Sequence, residues 1–269
     1  MKKIYRFVED FTSDDVAFLA TLGIKAKEGF DAIMIDADSP QLNVIKKRFR
    51  KTWTDTLSTE MVFDEQDLKS AKFLHIYAEK YLGYALPDTD GDVFDVAARD
   101  QEYGILRGEQ TGFFKMKGEP KWGKWKIASL HFTEHIFFVN PVVYEDCFKP
   151  LNIACKPVLD LKTKAPLKTI VQLVQQGVAP SKLHLNARYI DEMEAVQGWN
   201  LTKYVLRADM PYPMFEDNPG GYDFFYTQEY FGSGGFAQRG TIISNKLYEI
   251  LLNNNLTGLN YHPLIASSI

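Results

Sequence analysis

The sequence predicts an α+β fold, a mixed or antiparallel sheet carrying short helices. Three observations predict it. Short β-branched and aromatic runs are interspersed with short amphipathic segments, without the regular alternation of a doubly wound sheet. Tyr and Phe dominate an aromatic content of 14%, and both suit sheet faces. One pattern also occurs twice in the C-terminal half, at 136–159 (IFFVNPVVYEDCFKPLNIACKPVL) and 241–265 (TIISNKLYEILLNNNLTGLNYHPLI). Each copy opens on an apolar run and has a polar N-cap residue, Asn140 or Ser244. A short amphipathic segment and a second apolar run follow, closing at Pro157 or Pro263. With one inserted residue in the second copy, apolar positions coincide.

The elements follow in order. Ile4 to Val8 reads as a strand, Asp14 to Leu22 as a short helix and Phe30 to Asp36 as a buried strand. Ser39 and Pro40 supply an N-cap and an N1 proline for a helix running to Lys51. Leu68, Ala71, Leu74, Ala78 and Leu82 recur at helical spacing, although Lys72 to Tyr77 reads equally as a strand. Residues 86–92 (LPDTDGD) form a loop, and Tyr103 to Met116 a hairpin. Residues 115–126 (KMKGEPKWGKWK) are a basic connector and the best boundary between an N-terminal region, 1–114, and a C-terminal region, 115–269. The two regions could also be one continuous fold. After the first repeat unit come a strand at Lys168 to Gln175, a helix from Asn186 to Val196 and a strand at Tyr204 to Ala208. A proline-rich loop, 210–221, and a strand at Phe224 to Phe231 lead to the second unit.

Composition narrows the function. With 269 residues, 45% hydrophobic and 25% charged, the chain is ordinary for a globular protein and can bury a large core. A net charge of −4 argues against nucleic-acid binding. The richest basic stretch, 46–51 (KKRFRK), reads as a solvated helix face. Acidity leaves room for a basic partner. The two cysteines, Cys147 and Cys155, fall on the helix and closing strand of the first repeat unit. With no CxxC they read as reduced, buried thiols. No segment approaches a span of about 20 apolar residues, and acidic residues interrupt the N-terminus, so the expectation is a cytoplasmic protein off the membrane.

No constellation demands chemistry or a cofactor. His131 and His135 flank Glu134 at a spacing that could chelate a metal, but the zincin pattern and a third ligand are missing. They read better as sheet-edge histidines. Residues 88–92 (DTDGD) lack the Gly and Glu positions of a calcium loop. Residues 231–240 (FGSGGFAQRG) precede a strand, not the helix that completes a phosphate site, and read as a recognition hairpin. Aromatics flank that loop: Tyr222, Phe225, Tyr230 and Phe231. Exposed, they would form a protein-binding face with Arg239; alternatively, they fill a sheet interior.

The stretch TIISNKLYEILLNNNLTGLNYHPLI resembles the closing segment of predicted immunity proteins from bacterial polymorphic toxin systems, the double-CxxCG group and a related uncharacterised-domain family. In that segment an apolar strand ends in Ser, here Ser244. A short helix follows, then a Thr-Gly turn, here Thr257 and Gly258, and a strand ending in Pro, here Pro263. The earlier copy is similar to a mid-chain unit of the same proteins. The paired CxxC motifs are absent, so no zinc role carries over. The resemblance implies a non-enzymatic cytosolic protein that binds and neutralises a cognate toxin domain. The expected contact residues are Tyr222, Phe225, Tyr230, Phe231, Arg239, Asp90 and Asp92. The alternative is a small-molecule- or metal-binding protein, or a hydrolase, with a pocket near His131 and His135.

Overall fold

In the computed structural model the described residues are 1–50, 52, 57–85, 92–100, 104–196, 201–232 and 237–266. They form an α+β structure, mostly β, in two units: Met1–Asp67 with Ala208–Pro211, and Leu68–Arg207 with Tyr212–Ile269. The division falls well before the expected boundary at Lys115. The basic connector lies inside the larger unit, where it supplies a short strand.

In the smaller unit β1 (Lys2–Phe11) lies between β2 (Gly29–Asp36) and β3 (Leu57–Val62), antiparallel to both. Thr12 caps α1 (Ser13–Thr21) in a reciprocal box with Asp15. The helix expected from Ser39-Pro40 starts later, as α2 (Leu42–Arg48) with Gln41 at its N-cap, because Ser39 and Pro40 are spent in the preceding turn. Phe7, Phe11, Leu19, Ile33, Ile45 and Phe49 form the core. Arg48 binds the Asp15 carboxylate at 2.8 Å. The Thr12 hydroxyl, and then Arg48, hold that carboxyl below the usual carboxylate range. Lys3 pairs with Asp209 at 2.8 Å.

A short helix, α3 (Glu65–Ser70), precedes the strands of the larger unit. These are β4 (Phe73–Ala78), β5 (Tyr81–Tyr84), β6 (Phe94–Asp100), β7 (Gly104–Gln110), β8 (Lys115–Met116), β9 (Ile127–His131) and β10 (Phe138–Val139). A helical segment, α4, joins an α turn (Pro141–Val143), a π turn (Tyr144–Phe148) and a 3-10 turn (Lys149–Leu151). Then come β11 (Ala154–Asp160), β12 (Pro166–Val174), β13 (Ile190–Val196), β14 (Leu201–Leu206), β15 (Phe224–Phe231), β16 (Gln238–Ser244), α5 (Asn245–Asn253) and β17 (Leu259–Pro263). One sheet has the order β5-β9-β10-β12-β11-β8, and another β13-β14-β15-β16-β4-β17. The hairpin β6–β7 stands apart as a two-stranded sheet.

The repeated sequence pattern is part of a larger duplication. Strands β10 and β11, joined through α4, are both antiparallel to β12, which lies between them. Strands β16 and β17, joined through α5, flank β4 in the same way. Val171 of β12 faces Val139 and Pro157; Leu74 of β4 faces Ile243 and Pro263. Further along, Tyr81 pairs in parallel with Ser129, and Val178 with Tyr226. Val171, Val178 and Tyr226 each lie 97 positions after their counterparts Leu74, Tyr81 and Ser129. The hairpins β6–β7 and β13–β14 occupy matching stretches. Two repeats therefore follow one another, β4 to β11 and β12 to β17. The first strand of the second repeat completes the split unit of the first, and the first strand of the first repeat completes that of the second.

Both helices are built alike. Asn140 Oδ1 accepts from Val143 N at 2.9 Å, and Ser244 Oγ from Leu247 N at 3.1 Å. Both end at a left-handed asparagine, Asn152 (φ 56°) or Asn255 (φ 50°). The first copy is one residue longer between cap and asparagine, and its π turn absorbs the extra residue. The second copy is three residues longer from its asparagine to the closing proline, with a turn through Thr257 and Gly258. There Thr257 O accepts from Lys126 N and Ile127 N.

Alternation sorts the side chains. Leu74, Ile76, Val139, Leu173, Ile243 and Leu247 enter a core common to both repeats. Each repeat also has an outer core. That of the first holds Phe114, Leu130, Phe138, Val158 and Ile170; that of the second holds Tyr212, Phe225, Ile242 and Leu264. The expected helix after Asn186 is a strand, and of the two readings of Lys72 to Tyr77 the strand holds. Helical spacing over Leu68–Leu82 ends at Ser70, because β4 is claimed on both edges by β16 and β17. Residues 190–196, rich in helix formers, pair with β14; cross-strand pairing overrides propensity there. Asn186 instead accepts from Arg188 N in a turn.

Candidate functional site

On β4 Phe73, His75 and Tyr77 face away from the common core, and Phe73 packs into the outer core. His75 stacks on Tyr212, with ring centroids 4.2 Å apart and planes 7° from parallel. Tyr212 meets Phe231 edge-on at 5.7 Å, and Phe231 lies 6.3 Å from Tyr204. Tyr77 contacts His262, its hydroxyl 3.3 Å from Nε2. These rings wall a cleft of about 450 Å³. Glu134, His135, Gln238 and Thr241 also line it. The Glu134 carboxylate accepts from Phe132 N at 3.0 Å and from Gln238 Nε2 at 3.4 Å.

Charge in this cleft is controlled by burial. Loss of solvent, with His262 nearby, lowers the His75 pKa to about 3, so the ring is neutral at pH 7. Burial, then Glu229, pushes the Tyr212 hydroxyl well above its ordinary value, and burial raises Glu229. Tyr212 Oη and Glu229 Oε2 have no hydrogen-bond partner among the described residues. The Tyr212 hydroxyl lies directly over Gly240, where any Cβ would collide with it.

Part of this site was readable in sequence, since His135 and Glu134 line the cleft with Phe231 and Arg239. His131 lies elsewhere, stacked on Tyr81 at 4.7 Å. The two histidines therefore do not face one site, and no cluster of three potential metal ligands occurs among the described residues. His75 and Tyr212 were missed. Each belongs to a segment whose neighbours are set by pairing far along the chain.

The expected contact face is largely interior. Phe225 is 0% exposed in the outer core of the second repeat, because it points inward from β15; it is not a surface contact. Tyr222 and Phe231 are half-buried against the same cluster. Tyr230 is half-buried under Arg239, whose guanidinium lies 4.5 Å from its ring centroid. Arg239 is otherwise committed to the carbonyls of Thr227 and Gln228, at 2.8 and 2.6 Å. Asp92 is exposed and pairs with Lys115 at 2.9 Å. Asp90 and the loop tip 233–236 lie outside the described residues.

A different aromatic group is exposed. Tyr84 is 58% and Phe132 61% exposed. Their rings are 5.7 Å apart, and Tyr84 packs on His131 at 4.7 Å. Phe132 has φ 65°, a conformation a bulky residue rarely adopts. Lys80, Lys117 and Lys121 line an adjacent cleft of about 370 Å³. Comparison with family models, curated proteins and solved structures finds no match for this chain.

Proposed function

We propose that the chain is a binding protein that neutralises a cognate toxin domain by covering its surface, and that Tyr84, His131 and Phe132 are the centre of the contact. The ladder of these three rings, with Tyr84 and Phe132 exposed on half-buried His131, carries this reading. Aromatic anchors with a polar surround are what protein interfaces use for most of their affinity. Phe132 is held out at positive φ, a costly conformation for a bulky residue. The nearby lysines give the face a basic edge, complementary to an acidic partner surface. The resemblance of the 241–265 segment to immunity proteins supplies the partner class.

The test begins by identifying the partner, with a pull-down from native cells and mass spectrometry. The toxin domain found there is then co-expressed with this chain. Survival of the cells, with a stable complex in vitro, is the expected result. Replacing Tyr84 and Phe132 together by Ala should weaken the complex at least about tenfold, on the order of 1.4 kcal/mol or more. Phe132→Gly separates folding from binding, because glycine relieves the left-handed backbone while deleting the ring. It should leave stability equal or raise it by up to about 1 kcal/mol, yet weaken the complex. Undiminished affinity in both variants would remove the ladder from the interface.

A further inference from the structure

We propose that the cleft between His75, Tyr212 and Glu134 is a binding site for a small planar heteroaromatic ring bearing an amino group, a nucleoside base being the simplest example. This goes beyond toxin binding and does not depend on it. Its wall is aromatic: Tyr77, His75, Tyr212, Phe231 and Tyr204 follow one another at ring distances of 4.2 to 6.3 Å. Such a wall offers flat faces for stacking and suits a flat ligand better than a saturated one. At about 450 Å³ the cleft is of nucleoside size.

The polar side selects the ligand's edge. Glu134 can accept from an N–H or amino donor, and its contact to Gln238 is a long one at 3.4 Å, easily exchanged. The Gln238 carboxamide then offers a donor and an acceptor beside it. His75 is neutral and adds no positive charge. Arg239 is occupied by two carbonyls and the Tyr230 ring. Among the described lining residues Arg239 is the sole Lys or Arg, and its Nη1 is committed to those carbonyls, so the fitting ligand is the base or nucleoside, not the nucleotide.

The duplication makes the cleft more than an irregularity. In the other six-stranded sheet the position corresponding to His75 is Gln172, on β12. Its carboxamide exchanges two hydrogen bonds with Gln110, at 2.9 and 2.7 Å, and is 1% exposed. The sheet that contains β12 closes this place on itself, whereas the sheet that contains β4 lines it with rings.

The test is titration of the full chain with guanosine, adenosine and inosine, followed by calorimetry and by shifts of the His75 ring signals. Guanosine or adenosine should bind saturably at sub-millimolar concentration. Inosine, which lacks the exocyclic amino group, should bind at least tenfold more weakly. Guanosine monophosphate should bind no better than guanosine. Glu134→Gln keeps an acceptor for Phe132 and should erase the preference over inosine. His75→Gln imports the residue found at the corresponding place on β12 and should reduce binding at least tenfold; Tyr204→Ala serves if that variant does not fold. No saturable binding of either amino nucleoside at millimolar concentration, or equal binding of inosine, overturns the proposal.

Discussion

The two repeats of the larger unit share the split unit built on β12 or β4 and a side-chain cap on each helix, yet their outer cores differ. In the first, Phe114, Leu130, Phe138 and Ile170 fill the space, and the buried Gln110–Gln172 pair satisfies itself. In the second, the position of Leu130 is taken by Thr227, and Tyr212 and Glu229 bury polar atoms that have no partner among the described residues. Burying such groups costs about 1–3 kcal/mol each, so a copy kept only for packing would resemble the first. Where one framework is built twice, the copy that departs from apolar packing is the place to look for function.

The largest effect should come at the turns that close the two helices. Gly258→Ala combines φ 114° with a collision against the Ile127 carbonyl and should cost more than about 3 kcal/mol in denaturant unfolding. Asn152→Gly, in the corresponding turn of the first repeat, should be neutral or stabilise by up to about 1 kcal/mol. Similar losses in both variants would break the distinction between a turn locked by close approach and one that needs only a left-handed residue.

Next in size are the corresponding positions Gln172 and His75. Gln172→Ala leaves Gln110 without its carboxamide partner and should cost about 1–3 kcal/mol. His75→Gln should cost less at pH 7, because His75 lines a cleft. The histidine has its own signature. Its folded pKa, about 3, lies below the unfolded value near 6.5. The neutral ring therefore stabilises the fold fully above about pH 6.5, and that stability is lost as pH falls toward 3. The loss by pH 4 should reach at most about 3 kcal/mol, less where the partly exposed ring is solvated. Thermal unfolding from pH 7 to 4 should show a component that His75→Gln abolishes.

The smallest effect should be the most symmetric. Asn140→Ala and Ser244→Ala each remove one helix cap and should cost about 1 kcal/mol. Ser244 should lose slightly more, because its hydroxyl also donates to Asp223 at 2.5 Å. A cost confined to one repeat, measured by equilibrium unfolding, would show that the two helices do not share the same role.

What could be read in the sequence was what depends on neighbours along the chain. The α+β class, the Asn140 and Ser244 caps, and the matching of Pro157 with Pro263 rest on local pattern, and the structure has them. The rest of the duplication stayed hidden because β4 (FLHIYA) and β12 share alternation and little else. Asn186 and the Glu- and Met-containing stretch after it carried a helix signal that pairing with β14 overrode. Phe225 and Phe132 were equally aromatic in sequence; only the sheet register that buries one, and the backbone turn that exposes the other, tells them apart. His75 and Tyr212 meet only because β4 reaches into the second repeat.

That reach has a consequence during synthesis. When β12 leaves the ribosome, the two strands that flank it have already been made. β4 emerges early, and both of its neighbours belong to the last stretch of the chain, Gln238–Ser244 and Leu259–Pro263. Until then β4, with its apolar row Leu74, Ile76 and Ala78, has two unpaired edges. Nascent chains stalled before residue 238 should bind chaperones and aggregate, and emergence of β16 and β17 should be the event that ends their exposure.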